Sequence, residues 1–577
     1  MDVTEHRPSS ENTEKINISN TNDSPIGEFN GDSGETIRNT DELALQALGY
    51  KQEFKREFSL FSSFAVSFSV LGLLPSIATT LTYGVGYGGG PAMTWGWLVS
   101  MIGIQCVALS MAELCSAMPT SGGLYYAAAV LAPPKYGPFA AWITGWSNWL
   151  CQVTAAPSVN YSLSSMIMSC VTLHNPDWSP ENWQIFLLAS AFMLVQALIS
   201  CMPTGAIARF NSLGSIFNIA GLFVVFIIIL AANNRAPSEA NPLLTKWNSN
   251  SFVWKDIYNQ TDWTDGICIL MSFTGIIWSM SGYDAPFHLA EECSNAAIAA
   301  PRAIVMTSSV GGIVGFAFQM AIAYTVVNID EVINNDLGQP FIIYLSQIMS
   351  LKLVYLAAAL TIIASFFMGQ ACMVAASRVA YAYARDGCFP LSRFWAQVNK
   401  TTNTPVNAVW LNCFIGQLTL FLIFAGSTAI EAIFSVGAIS AYVAFTTPIF
   451  IKLVCVAGKF RPGPWHLGVF SVPIGIISCA FVLLMIPILL FPQYRGANLT
   501  PTDMNWSSVV YLGPMLFSVV WWFVDARKWF KGPKLNNDHM LYDIMGHDVD
   551  IVEGVAVAEI FSPEVQEKMA RERSIIP

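Results

Sequence analysis

The sequence predicts an all-α polytopic membrane protein with twelve transmembrane helices. The chain has 577 residues, of which 54% are hydrophobic and 11% are charged, a composition outside the range of soluble globular domains. The apolar residues gather in stretches of about 20, the length at which a helix crosses a hydrocarbon layer roughly 30 Å thick. Runs such as 222–232 are continuously apolar rather than alternating, which favours helices over a membrane barrel.

Stretch length and helix-breaking residues define the predicted spans. The spans cover residues 58–83, 92–113, 138–168, 184–203, 207–232, 265–289, 303–328, 352–383, 406–425, 430–456, 467–491 and 507–525. They form a predicted transporter domain, 57–526, between a disordered N-terminal tail, 1–56, and a solvated C-terminal tail, 527–577. Both tails are rich in acidic and other polar residues, as is typical of segments that do not bury a core.

The basic residues of the predicted loops indicate the orientation. With the amino terminus in the cytosol, most loop Lys and Arg fall on the inner side, for example Lys55 and Arg302, and few on the outer side, for example Arg235. Cytoplasmic loops carry such an excess, so we expect both termini in the cytosol. The sequence has no signal-peptide pattern at 1–48 and no lipidation or retrieval motif at its carboxyl end. We expect the plasma membrane, with the vacuole or another internal membrane as the alternative.

Helix-breaking residues occur at corresponding places in the first and sixth predicted spans. The first span contains Gly72 and Pro75 near its middle, and the sixth contains Gly282 and Pro286. In transporters built from repeats, paired interruptions form the binding site near the midplane, because broken helices leave N–H groups for a carboxylate and carbonyls for an ammonium group. A kink in a packed helix is the alternative for either break alone. As a pair, the breaks favour a site for a zwitterionic solute.

Ionisable residues near the breaks are candidates for substrate and proton binding. Asp284 lies within the sixth span, where a charge is costly unless it faces a cavity or a partner; a hydrogen bond to a neighbouring helix is the structural alternative. Glu113, at the end of the second span, and His288 are further candidates for proton coupling. Glu291 and Glu292 are interpreted as loop carboxylates at the membrane interface.

Common catalytic and metal motifs are missing from the sequence. It has no Walker loop, nucleophile elbow or His-Glu-x-x-His, and none of its 12 cysteines forms a Cys-x-x-Cys pair. Asp284 and His288 alone do not make an enzyme site. We therefore predict that the protein is not an enzyme and has no metal, cofactor or nucleic-acid partner. We expect it to move a solute across a lipid bilayer, driven by an ion gradient or by the gradient of the solute itself.

Several segments together resemble the amino acid-polyamine-organocation superfamily over nearly all of the membrane region. They are Gly96–Val99, Met111–Leu114, Pro119–Tyr126, Trp278–Asp284, Ala384–Gly387 and Pro390. Within the superfamily, the chain looks like the fungal amino acid/choline transporter group, which includes 4-aminobutyrate, choline, polyamine and thiamine carriers. The segments that carry this closer resemblance are Gly72–Ile77 and Phe460–Gly468.

The resemblance implies a LeuT-like fold, an inverted repeat of five plus five helices with two more helices, in which substrate binds between broken helices 1 and 6. It implies that Trp278 stacks over the solute, that Ser281 and Gly282 offer backbone groups, and that Asp284 is a cation or proton partner. The full set of predicted substrate-binding residues is Ser69, Val70, Leu71, Gly72, Trp278, Ser281, Gly282, Tyr283 and Asp284.

Two features depart from the pattern of relatives. The first span has Phe68, Ser69 and Val70 where many amino acid carriers have a Gly-Ser-Gly-like turn, and the fifth span has no Lys that replaces a sodium ion in some proton-coupled members. The resemblance implies a permease that imports a small amine-containing solute by proton symport. The first candidate is 4-aminobutyrate, with choline, polyamine and thiamine as alternatives. A nutrient sensor of the same fold that does not transport is the alternative of another class.

Overall fold

The computed structural model describes residues 41–42, 44–46, 48–235, 244–334, 339–456, 459–500 and 504–533. The expectations for 1–40 and 534–577, most of the two predicted tails, concern residues outside these ranges. The described part of the chain is a bundle of helices with one small antiparallel sheet, in which Tyr87–Gly88 (β1) pairs with Tyr258–Asn259 (β2).

The described α-helices of the first half of the chain cover the predicted spans and include short helices between them. They are α1 (Leu60–Leu71), α2 (Leu73–Gly86), α3 (Gly89–Pro91), α4 (Trp97–Ala117), α5 (Gly123–Leu131), α6 (Gly137–His174), α7 (Asn182–Ser200), α8 (Thr204–Ala231), α9 (Asn250–Trp254), α10 (Asp265–Ser279) and α11 (Ala285–His288). A π-helical turn, Ala92–Gly96, joins α3 to α4, and a 3-10 turn, Ala290–Glu292, follows α11.

The second half of the described chain continues in the same way. Its α-helices are α12 (Ala296–Thr325), α13 (Ile329–Ile333), α14 (Pro340–Ile348), α15 (Leu351–Arg385), α16 (Ser392–Trp395), α17 (Val406–Leu420), α18 (Ser427–Ile451), α19 (Ser471–Leu489), α20 (Ser507–Trp521) and α21 (Arg527–Trp529). Turns of 3-10 or π helix occur at Phe421–Ala425, Lys452–Val456, Gly468–Phe470, Gly496–Asn498 and Trp522–Ala526.

Ten helical segments of the described chain are long and apolar enough to cross a membrane. The third and sixth predicted spans are not among them, for two different reasons. The helix α6 has 38 residues but carries many buried polar side chains. The helix α10 has only 15 residues and is about 22 Å long, shorter than the hydrocarbon layer. Length and composition thus support a multi-pass membrane protein and leave the number twelve unconfirmed.

The helix α6 lies at the centre of the bundle, where it packs along both α15 and α18. Large apolar side chains point outward from the peripheral helices, among them Ile216 on α8, Ile313 on α12, Leu483 on α19 and Leu516 on α20. A soluble monomer does not expose apolar surface on this scale. On membrane spans, these side chains form the face toward lipid.

The described residues ahead of α1 pack on the bundle. Leu48, Tyr50, Phe54 and Phe58 are buried, and the Phe58 amide donates to the Glu292 carbonyl at 3.0 Å. The packed part of the chain therefore begins before the predicted domain boundary at residue 57. The reason is physical: these apolar side chains find a buried surface on the helices that follow, which a disordered tail does not provide.

Candidate functional site

Gly72 separates α1 from α2. Its backbone is left-handed, with φ +48° and ψ +56°, a conformation that glycine adopts without the steric cost of a Cβ. A Cβ at this position would lie 2.5 Å from Met368 Sδ, so packing also requires glycine here. Pro75 lies in the first turn of α2, where the missing N–H costs no helical hydrogen bond. The interruption of the first span is therefore at Gly72, and Pro75 belongs to the helix that follows.

The sixth predicted span is interrupted at residues 280–284, between α10 and α11. Gly282 has φ +111° and lies directly against the first break. Ser67 Oγ donates a hydrogen bond to the Gly282 carbonyl at 3.1 Å. A Cβ on Gly282 would lie 2.6 Å from Val70 Cγ1 and 3.0 Å from the Leu71 amide nitrogen. The two breaks, distant in sequence, are thus in contact.

A cavity of about 40 Å³ lies beside the two breaks. By the same measure, one water needs about 10–15 Å³, so a solute of several heavy atoms fits only if lining side chains move. Among the predicted substrate-binding residues, those that line the cavity are Val70, Trp278, Ser281, Gly282 and Asp284.

Other predicted substrate-binding residues are buried outside the cavity lining. They are Ser69, Leu71, Gly72 and Tyr283. The Met368 side chain packs against Gly72 and also lines the cavity, so it separates Gly72 from the cavity. The Tyr283 ring packs against Phe445, with ring centroids 5.7 Å apart. Gly72 thus shapes the first break and Tyr283 takes part in packing, while Ser69 and Leu71 are buried residues of α1.

Asp284 is buried, with 2% of its surface exposed. Gln152 Nε2 donates to its Oδ2 atom at 2.9 Å, and His288 Nε2 lies 3.3 Å from the same oxygen. Among the described residues, no donor contacts Oδ1. One carboxylate oxygen therefore has donors in the protein, while the other has none in the part of the chain that the structure describes.

His288 connects Asp284 to a short chain of polar groups. It is fully buried at the end of α11, and its Nε2 atom lies 3.3 Å from both Asp284 Oδ2 and Asn148 Nδ2. Asn148 in turn donates to the Tyr383 hydroxyl at 3.0 Å. In one tautomer, His288 Nε2 donates to the carboxylate; in the other, it accepts from Asn148. Asp284 and His288 thus form a buried pair of polar groups beside the cavity.

Glu113 lies apart from the cavity lining, near the end of α4. It forms an ion pair with Lys452 and accepts hydrogen bonds from Ser471 Oγ at 2.7 Å and from the Leu467 amide at 3.2 Å. A buried charge needs such compensation. The surroundings of Glu113 are those of a carboxylate that joins α4 to the segment around residue 467.

Glu291 and Glu292 are fully buried, so their interpretation as interfacial loop carboxylates is wrong. Arg385 donates two hydrogen bonds to Glu291, at 2.9 and 3.0 Å, and Arg378 donates to Glu292 at 2.8 Å. Burial raises the pKa of Glu291, but the charge of Arg385 and hydrogen bonds to the carboxylate outweigh it, and the net pKa is below its ordinary value. These two ion pairs fasten the segment after α11 to α15.

The chain matches the family model described as amino acid permease over residues 58–515. It belongs to this family, within the amino acid-polyamine-organocation superfamily. The permease is 58% identical to an uncharacterized amino-acid permease of Schizosaccharomyces pombe, over 90% of this chain and 94% of that one.

Two further relatives are a putative polyamine transporter and a plant amino-acid permease. The permease is 52% identical to a putative polyamine transporter of Candida albicans, over 87% of this chain and 90% of that one. It is 30% identical to an amino-acid permease of Arabidopsis thaliana, over 87% of this chain and 97% of that one. These similarities show a transporter of amino acids or amines, and not an enzyme.

Several residues that line the cavity of the permease were not predicted from the sequence. Cys151 and Gln152 come from α6, Met368 and Cys372 from α15, and Phe445 from α18. A polar side chain within a span was an available signal for Gln152. The other four are ordinary packing residues of membrane helices, and nothing in their local sequence distinguishes them.

Proposed function

We propose that this permease is a secondary active transporter that imports a small amine-containing solute. The observation that carries the proposal is the direct contact of two helix breaks beside a cavity that contains Asp284. The breaks fall in the first and sixth predicted spans, the first members of two sets of five. This placement supports twelve spans arranged as an inverted five-plus-five repeat with two additional helices. In that arrangement, the turns at 280–284 and α11 continue the short α10.

Trp278 supports the proposed position of the solute. Its indole lines the cavity and packs edge-on against Phe434, with ring centroids 5.0 Å apart. A Cβ on Gly437 would lie 2.9 Å from the indole ring, so this glycine makes room for it. We propose that Trp278 covers the solute and moves when the cavity opens. The first solute to test is 4-aminobutyrate, followed by choline, polyamines and thiamine, and the name of the Candida relative supports an amine.

Proton symport is the proposed mode of coupling, with Asp284 and His288 as the proton-binding groups. Their 3.3 Å separation and the two tautomers of His288 support this assignment. Glu113, the third candidate, already has Lys452 as its ionic partner, which supports a structural role instead. Because of the loop charges described above, we also propose that both termini lie in the cytosol. The plasma membrane remains the proposed location, with the vacuole or another internal membrane as the alternative.

Uptake of radiolabelled solutes into cells that lack their own carriers tests the proposal. The panel contains 4-aminobutyrate, neutral and basic amino acids, choline, putrescine and thiamine, each with wild type, Asp284→Asn and Asp265→Asn. Asp265 is the matched control, because it is an exposed carboxylate at the other end of α10. We expect saturable uptake of at least one solute that Asp284→Asn abolishes and Asp265→Asn preserves.

Two results would contradict this reasoning. Normal uptake by Asp284→Asn would remove the carboxylate from the site, and no uptake of any solute by correctly localised protein would favour the nutrient sensor. Symport predicts that uptake rises as the external pH falls and that a protonophore abolishes the effect. Uptake independent of the proton gradient would overturn the coupling while leaving the transporter intact.

A further inference from the structure

We propose that the cavity recognises the primary ammonium group of an aliphatic amine through Asp284 and offers no site for a carboxylate. The inference rests on the proposed transport function and narrows its substrate from amine-containing solutes to cationic amines. It therefore changes the order of candidates, because it ranks an alkyl amine above 4-aminobutyrate and choline.

Asp284 differs in its charge balance from the other buried carboxylates of the described chain. Glu113, Glu291 and Glu292 are each paired with a buried Lys or Arg side chain. Among the described residues, Asp284 has His288 as its only ionic partner, and this imidazole compensates the carboxylate charge only when it carries an added proton. Burying an uncompensated charge is costly. A cationic ligand in the cavity supplies the compensation that no Lys or Arg provides.

The geometry of the carboxylate leaves room for such a ligand. Gln152 and His288 both approach Oδ2, and no donor among the described residues contacts Oδ1. Asp284 itself lines the cavity, and none of the described Lys, Arg or His side chains does. An ammonium group that enters the cavity can therefore donate to Oδ1 in a charge-assisted hydrogen bond.

The amide groups that would bind a carboxylate lie away from the cavity. They belong to Leu73 and Leu74, the first residues of α2, which are buried and do not line the cavity. The Met368 side chain, which does line the cavity, packs so closely against Gly72 that a Cβ there would lie 2.5 Å from its sulfur. A solute carboxylate in the cavity would therefore meet Met368 and the charge of Asp284 instead of these N–H donors.

The rest of the lining suits an aliphatic chain. Val70, Ala155, Trp278, Met368 and Phe445 present apolar surface beside the carboxylate. A quaternary ammonium group could contact the Trp278 ring, but it has no N–H to donate to Oδ1. The combination of one unpaired acceptor and apolar walls therefore favours a primary amine on a hydrocarbon chain.

Three solutes with the same four-carbon chain test the inference: butylamine, putrescine and 4-aminobutyrate. Binding to the purified full-length protein is measured as ligand-dependent stabilisation against thermal unfolding, with choline as a fourth ligand. We expect butylamine and putrescine to act at concentrations at least about tenfold below that of 4-aminobutyrate, because a nearby like charge disfavours the carboxylate. Asp284→Asn should remove the difference, and Asp265→Asn should keep it.

Outcomes for binding and for transport are separable. If 4-aminobutyrate binds as well as putrescine or better, the inference is overturned even when uptake confirms a transporter. If choline binds better than butylamine, the hydrogen bond to Oδ1 is not the basis of recognition, and the inference is likewise overturned. If the amines bind but none is taken up, the inference stands and the proposed transport function fails.

A second measurement does not depend on an added solute. Cys151 and Cys372 line the same cavity as Asp284, so their modification by cationic aminoethyl and anionic sulfonatoethyl methanethiosulfonate reports the charge preference of the cavity. Modification is quantified by peptide mass spectrometry and normalised to glutathione as a free thiol. We expect the cationic reagent to be favoured about tenfold, and Asp284→Asn to abolish the preference. Equal normalised rates in the wild type would overturn the inference.

Discussion

Replacing Gly282 with alanine tests whether the contact between the two helix breaks holds the site together. At φ +111°, a non-glycine residue stores about 1–3 kcal/mol of backbone strain. The added methyl would also lie 2.6 Å from Val70 Cγ1 and 3.0 Å from the Leu71 nitrogen, and overpacking of this kind costs about 1–3 kcal/mol. We therefore expect Gly282→Ala to lower the free energy of unfolding by about 2–6 kcal/mol.

The assay is thermal unfolding of the purified protein, followed by the loss of the monodisperse species on size exclusion, together with uptake. Gly266 provides the matched control in the same predicted span, because a Cβ there would have nothing within 4 Å. Adding Val70→Ala to Gly282→Ala removes one of the two close contacts and should restore part of the stability. The reasoning is refuted if Gly282→Ala unfolds at the same temperature as Gly266→Ala.

Buried ion pairs and one loop glycine lead to three further expected outcomes. Glu292→Gln leaves the fully buried Arg378 without a charged partner and should destabilise the protein by about 3–5 kcal/mol; an unchanged unfolding temperature would contradict this. Because the pKa of Glu291 is lowered in the folded protein, its pair with Arg385 stabilises the fold fully above the ordinary carboxyl value of 4.5 and loses this contribution as the pH falls through the lower folded value. Unfolding measured between about pH 3 and 7 should show this loss in the wild type and not in Glu291→Gln. Gly463→Ala would place a methyl 2.3 Å from a backbone carbonyl oxygen near the end of α4 and should cost about 1–3 kcal/mol in the same unfolding assay; a neutral result would mean that the loop moves aside.

The two helix breaks were largely predictable from local sequence. Gly72 and Gly282 have positive φ, which a glycine inside an apolar stretch permits, so both interruptions were predictable. Pro75 was predicted as part of the first interruption but lies within the first turn of α2. Sequence pattern does not separate these two cases, because a proline ends one helix or begins the next depending on the backbone ahead of it.

The burial of the two glutamates after α11 was not predictable from local sequence. Glu291 and Glu292 looked like interfacial carboxylates, since two adjacent acids follow an apolar stretch. Their partners Arg385 and Arg378 are 94 and 86 residues away in the chain. Burial of a charge depends on such partners. The spacing along the sequence does not indicate which basic side chain pairs with each glutamate in the folded protein.

The sequence by itself predicted a multi-pass helical membrane protein, the interruptions of its first and sixth predicted spans, and an ionisable residue, Asp284, at the second interruption. These properties follow from stretch length, hydropathy and single residues, which are local. Only the tertiary structure decided that Gly282 packs against the first break, that Gln152 holds one oxygen of Asp284, and that Met368 covers Gly72. The reason is that helices of similar apolar character can be packed in many ways, and the side chains that meet across a cavity depend on the packing that occurs.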